Sequence, residues 1–202
     1  MFDNFFRALK DWLLAPLARA IGPGLSPNTI SLLAFAAGMS VAAAVVTGRT
    51  GLALALWIVN RVLDGFDGTQ ARVHSTQSDF GGYLDIVLDF IVYAAVPIAI
   101  AATDRQPGLV FAVVILLATF FVNAASWMYL AAILERRQAG AAARGELTTI
   151  TMPPGIVAGT ETVIFYALFI ALPAWRVALF WTMGALVCVN VLQRLWWAWR
   201  RL

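Results

Sequence analysis

Residues 64–90 read DGFDGTQARVHSTQSDFGGYLDIVLDF, and this stretch decides the architecture. It sets Asp64, Asp67, Asp85 and Asp89 inside or beside runs that are otherwise apolar enough for a bilayer. An ionised carboxylate at the bilayer centre costs about 2.5–3.5 kcal/mol even on the lenient insertion scale. Four together need a cation among them. That need for counter-charge links the composition to chemistry.

Outside this stretch the chain is more apolar still. Hydrophobic residues are 61% and charged residues 12% of the 202, with a mean hydropathy of +0.81. Soluble domains carry about one quarter charged residues, so an all-α integral membrane protein is expected. The 14 basic and 11 acidic residues leave a net +3, too weak a bias to indicate nucleic acid. Thirteen of the basic residues are arginine, a usage that suits a GC-rich prokaryotic genome. The lone Cys188 permits no intrachain disulfide and is expected to be a small core residue. Residues 2–21 carry Asp3 and Asp11 and lack the clean apolar core and cleavage site of a signal peptide.

A hydrocarbon core of about 30 Å needs roughly 20 helical residues. Six spans are expected, at 28–47, 51–72, 80–102, 109–134, 156–173 and 176–198, in one membrane domain covering 1–202. Residues 28–199 then form the transmembrane bundle, and 1–27 form an interfacial N-terminal segment. In that segment Phe2, Phe5, Phe6, Leu9, Trp12 and Leu13 recur at helical spacing between charges, as in a helix lying in the headgroup plane, and Pro16 is expected to interrupt it. The tail from Arg194 to Arg201 mixes tryptophan and arginine as membrane boundaries do. With the N-terminus inside, eleven basic residues fall on the cytoplasmic face and only Arg49, Arg105 and Arg176 on the other. Both termini and the aspartate stretch are therefore expected at the cytoplasmic side of a cell membrane.

Spacing defines the geometry of the stretch. Asp64 and Asp67 are i,i+3 on the second span, and Asp85 and Asp89 are i,i+4 on the third, so each pair shares a helix face. Gly68 and Ala71 continue one face and Gly81 lies on the other; such small residues let a helix or a ligand's phosphates approach the backbone. Hard oxygen ligands without clustered Cys or His favour Mg²⁺, Mn²⁺ or Ca²⁺ over zinc. Four carboxylates exceed what one Mg²⁺ takes, so a two-metal site follows, of the kind that stabilises phosphoryl displacement. Arg61 and Arg72 could pair with some of the aspartates, yet two arginines cannot neutralise four carboxylates. The stretch lacks the D-x-D-x-D-G loop of an EF-hand.

The pattern Asp64-x2-Asp67-Gly68-x2-Ala71-Arg72-x8-Gly81-x3-Asp85-x3-Asp89 resembles the signature of the CDP-alcohol phosphatidyltransferases at all eight of its fixed positions. The Pro27-Asn28-Thr29 opening of the first span is also similar to that family. The resemblance implies transfer of a phosphatidyl group from CDP-diacylglycerol, or another CDP-linked lipid, to a polar alcohol with release of CMP, in phospholipid biosynthesis. It implies that Asp64, Asp67, Asp85 and Asp89 hold two divalent cations, Mg²⁺ or Mn²⁺, and that Asp89 is also the general base. It further implies that Asn28, Asp67, Gly68, Ala71, Arg72, Ser78 and Gly81 bind the nucleotide, and that the enzyme is a homodimer. Elementary chemistry agrees, because a diphosphate suits cations and a planar bidentate arginine, and a base for a hydroxyl suits a carboxylate within reach.

The signature does not name the acceptor. Arg136, Arg137 and Arg144 could form a cationic pocket for a phosphorylated acceptor, or could simply express positive-inside topology. Ser78 to Gly81 and Pro97 faintly resemble the phosphatidylserine synthase branch. Thr160-Glu161-Thr162 reads first as a helix cap and second as a headgroup contact. His74 is expected to be solvated, and Asn190 and Gln193 to be interhelical hydrogen-bond partners. Two other functions use acidic residues in membranes. An intramembrane prenyltransferase also binds a diphosphate through aspartates, but on well-separated helices and without Gly-x2-Ala-Arg. A divalent-cation transporter would mark a path across the bilayer, whereas these carboxylates gather at one face.

Overall fold

The computed structural model describes residues 2–137 and 159–202, and these are helical throughout apart from short connections. The helices are α1 (Phe2–Ile21), α2 (Pro27–Val46), α3 (Thr50–Val73), α4 (Asp79–Thr103), α5 (Leu109–Arg136), α6 (Gly159–Ala171) and α7 (Arg176–Arg201), with a 3₁₀ turn at Pro173–Trp175 before α7. Their limits follow local chemistry. Ser26 caps α2 by accepting from the Thr29 N–H at 3.2 Å, and Pro27, which has no N–H to satisfy, takes the first helical position. Ser78 caps α4 by accepting from the Gly81 N–H at 3.1 Å. Gly48 and Gly108, at φ +70° and +79°, supply the left-handed turns before α3 and α5.

Among the described residues, four helices are long and apolar enough to cross a membrane: α2, α4, α5 and the Pro173–Arg201 helix. Large apolar side chains such as Phe121 and Tyr129 stand more than 70% exposed on these elements, an arrangement that requires lipid around them. The chain is a multi-pass membrane protein. At 24 residues α3 is about 36 Å long, but Arg61, Asp64, Asp67 and Arg72 set it apart from the plainly apolar helices. The described part of α6 has 13 residues.

The chain divides into two compact units, Met1–Arg105 and Gln106–Leu202. In the first, α3 and α4 both pack on α2, and α1 packs on α3. The approach of α2 to α4 depends on Gly38, where a Cβ would fall 2.6 Å from Val92 Cγ2. In the second, α5 and α6 pack on α7, with the Phe169 and Phe180 rings 4.1 Å apart between α6 and α7.

Several sequence expectations change here. Helix α1 runs through Pro16 rather than stopping at it. The proline forfeits one backbone hydrogen bond, while its neighbours Leu14 and Ala18 are held by packing with Ile30 and Phe66. Cys188 is exposed on its unit, not in a core. Gln193 is exposed, whereas Asn190, about one turn earlier on α7, is buried. Arg194 is not a boundary anchor: it is 7% exposed and donates to the Asn123 side-chain oxygen at 3.0 Å and to Ser126 Oγ at 3.2 Å. Further along the tail, Arg200 sits over the exposed Trp196 ring, 4.0 Å from its centroid.

Candidate active site

All four signature aspartates lie in the first unit, on the facing helices α3 and α4. Arg61, one turn before Asp64, joins the two carboxylate pairs. Its guanidinium contacts Asp89 at 2.7 and 3.4 Å and Asp64 at 3.7 Å. One guanidinium thus reaches a carboxylate from each pair, Asp64 on α3 and Asp89 on α4. Asp67 is buried at 6% exposure and accepts a hydrogen bond from Ser31 Oγ on α2 at 2.5 Å. Among the described residues, no three acidic, histidine or cysteine side chains form a ready-made metal cage. Like charges spread unless a cation gathers them, and here Arg61 stands between Asp64 and Asp89. The donor set itself, carboxylates with a serine hydroxyl beside them, is hard oxygen throughout and fits Mg²⁺ or Mn²⁺.

The other signature residues group around this cluster. Arg72 folds back along α3, with Nη2 3.4 Å from Thr69 Oγ1 and Nη1 3.1 Å from where a Gly68 Cβ would be. Ala71, between them in sequence, is half-buried. Gly81 lets the start of α4 approach α2: a Cβ there would meet both Asn28 Oδ1 and Ser78 Oγ at 3.1 Å. Asn28 and Ser78 also line a cavity of about 230 Å³ with Ser26, Gln70, His74 and Thr76. That cavity is braced from α3. Gln70 donates to the carbonyls of Gly22 and Leu25 at 2.8 and 3.1 Å, and His74 Nε2 lies 3.1 Å from the Ala18 carbonyl. His74 is therefore partly buried and bonded, not merely solvated, because α1 folds back over the end of α3.

The proposed acceptor residues belong to the second unit or lie outside the described residues. Arg136 is exposed at the end of α5. Arg137 donates to the Leu202 carbonyl from two nitrogens, each at 3.2 Å, so it closes the C-terminal end of α7. Arg144 lies outside the described residues. Thr160, Glu161 and Thr162 occupy the first turn of α6, where an acidic side chain suits the helix dipole.

Sequence reasoning did not assign Ser31, Asn60, Tyr93 or Gln70 to the site. Their signal was periodicity: Ser31 is i+3 from Asn28, and Tyr93 is i+4 from Asp89, extending the Asp85–Asp89 row.

The chain matches the description of the CDP-alcohol phosphatidyltransferase family over residues 25–192. It belongs to that family. The match spans α2 to α6 in full and α7 as far as residue 192, so this CDP-alcohol phosphatidyltransferase is an enzyme of the group-transferring class. It is 34% identical over 175 residues to inner membrane protein YnjF of Escherichia coli (strain K12), covering 86% of this chain and 83% of that one. Its fold is similar to that of Mycobacterium tuberculosis phosphatidylinositol phosphate synthase PgsA1. Against the structure of that protein with CDP-DAG bound, the TM-score is 0.69 at 22% identity, covering 90% of this chain and 91% of the other. Against its complex with manganese and citrate, the TM-score is 0.71 at 22% identity, covering 92% and 88%.

Proposed function

We propose that the chain transfers a phosphatidyl group from CDP-diacylglycerol, or a closely related CDP-linked lipid, to the hydroxyl of a small polar alcohol, releasing CMP. The observation that carries this reading is the meeting of Asp64 on α3 and Asp89 on α4 at Arg61, two of the residues that the family signature fixes. The CDP-DAG and manganese bound to the mycobacterial synthase support it by fold likeness.

Asp64, Asp67, Asp85 and Asp89 would hold two divalent cations, Mg²⁺ or Mn²⁺, whose chemistry is to neutralise the diphosphate and the departing CMP. Asp89 takes the proton of the acceptor hydroxyl. The acceptor oxygen then bonds to the lipid-side phosphorus, the bond from that phosphorus to the bridging oxygen breaks, and CMP departs with the electron pair. Arg72 offers a planar fork to the diphosphate. Gly68 and Gly81 keep the backbone open for it, while Asn28, Ala71, Asp67 and Ser78 line the nucleotide site. Positioning and electrostatics supply most of the rate enhancement in such a transfer.

In this reading six helices, α2 to α7, span the membrane and α1 lies at the interface. The α1 residues Trp12, Leu13 and Leu17 present exposed apolar surface suited to lipid. Both termini and the site face the cytoplasm of a prokaryotic cell, where CDP-linked substrates are made, and the enzyme works as a homodimer. Arg136 and Arg144 remain the residues proposed for a phosphorylated acceptor. Purified protein supplied with CDP-diacylglycerol and, separately, serine, inositol, inositol phosphate and glycerol phosphate tests this. One acceptor should raise CMP formation well above the acceptor-free rate; equal, background rates with all of them contradict the reading.

A further inference from the structure

Arg61 is fixed far more completely than a neutralising cation needs to be. Its side chain is 10% exposed. Nε donates to Asn60 Oδ1 at 2.7 Å, and Asn60 in turn donates to the Ala34 carbonyl on α2 at 2.8 Å. Nη1 donates to the Tyr93 hydroxyl on α4 at 2.7 Å. The guanidinium carbon lies 4.8 Å from the centre of the Trp57 ring and 5.1 Å from that of Tyr93. Three helices thus hold this long side chain in one pose, and from that pose its two terminal nitrogens reach the two oxygens of Asp89 at 3.4 and 2.7 Å. A fork that meets both oxygens sets the plane of a carboxylate, which a point charge cannot do.

We infer that Arg61 is a positioning residue for Asp89: through the Trp57–Asn60–Tyr93 frame it holds that carboxylate in the orientation from which it takes the acceptor's proton. This rests on the reading of Asp89 as the base. Arg61 touches neither reacting atom. It also sets a fixed positive charge beside the proposed cation ligands, so its removal leaves those ligands in place and strengthens their field for a divalent ion.

The test uses full-length protein in detergent with Arg61→Met, Arg61→Lys and Tyr93→Phe. Turnover is read as CMP release, and Mn²⁺ binding is read separately by electron paramagnetic resonance without lipid substrate. Arg61→Met should lower kcat about 10–100-fold, as losing an outer partner of a site carboxylate does. The KM for the CDP-lipid should stay within about twofold, and Mn²⁺ should bind at least as tightly as in the unmodified protein. Arg61→Lys should recover part of the loss. Unchanged kcat in Arg61→Met, or joint loss of kcat and Mn²⁺ binding, overturns the inference; the second result would mean that Arg61 only holds the helices together. If Arg61→Met does not fold, Tyr93→Phe decides: a smaller fall in kcat at constant KM supports the inference, and an unchanged kcat overturns it. Absence of CMP formation by the unmodified protein with every acceptor would instead overturn the transferase reading, and this inference with it.

Discussion

The Ser31 hydroxyl on α2 donates to the Asp67 carboxylate on α3 at 2.5 Å, deep in the first unit. Asp67 is the most buried signature aspartate, 6% exposed, and this bond ties its orientation to a helix outside the signature. An interhelical hydrogen bond in a membrane is worth about 0.6–1.7 kcal/mol, and a charged acceptor makes it stronger than a neutral one. Its larger consequence is geometric, because a carboxylate with a fixed partner presents the same oxygen to a ligand each time.

Ser31→Ala is therefore expected to weaken the site more than the fold. The Mn²⁺ concentration for half-maximal activity should rise about tenfold, with a stability loss of about 1 kcal/mol. Metal titration of activity, alongside reversible unfolding in detergent, checks both. An unchanged metal requirement would mean that the Ser31 bond serves packing alone.

Asp89→Asn keeps the shape of the side chain and its reach to Arg61 while removing its basicity. Turnover should fall about 10²–10⁴-fold, the range for loss of a general base. Nucleotide affinity, read by CDP-lipid or CMP binding, should remain near that of the unmodified protein. Full activity in this variant would remove Asp89 from the role of base.

Chelation should abolish CMP release, and Mg²⁺ or Mn²⁺ should restore it, because four carboxylates outnumber the two arginines beside them in the signature stretch, Arg61 and Arg72, and the excess negative charge repels a diphosphate. The check is turnover in chelator, before and after adding back each ion. Undiminished turnover after thorough chelation would contradict the assignment of the aspartates.

Gly38→Ala places a methyl 2.6 Å from Val92 Cγ2 and 2.8 Å from its Cγ1. Valine is stiff about χ1 and cannot swing aside freely, so a destabilisation of about 1–3 kcal/mol is expected. Val92→Ala in the same chain should recover much of it. A double-mutant cycle by detergent unfolding measures the coupling, and additive losses would show that α2 and α4 do not depend on this contact.

Much of this was legible in the chain because membrane helices write their limits in composition. Five of the six expected segments begin and end within about three residues of helices α2 to α5 and α7, since Gly, Pro and short polar pairs punctuate long apolar runs, and α2, α4, α5 and α7 are long and apolar enough to cross a membrane. The signature aspartates were legible because helical spacing alone puts Asp64 with Asp67 and Asp85 with Asp89. What escaped was tertiary. No local pattern says that α1 folds over α3 so that His74 meets the Ala18 carbonyl, or that Arg194 turns inward to Asn123 while its neighbours face outward. Arg61 was visible as a possible partner of Asp64, but its hold on Asp89, 28 residues away, needed α3 and α4 to pack side by side on α2. Pro16 misled because its effect on a helix is local, whereas the packing of Ala18 against Ile30 and Phe66 is not.

The most direct measurement is to follow both products at once, CMP and the new phosphatidyl lipid, from CDP-diacylglycerol and the preferred acceptor in purified protein. Equimolar CMP and lipid product, dependent on Mg²⁺ or Mn²⁺ and lost in Asp89→Asn, is the expected result. Formation of neither product, or product formation that survives both chelation and Asp89→Asn, would contradict a transferase centred on these aspartates.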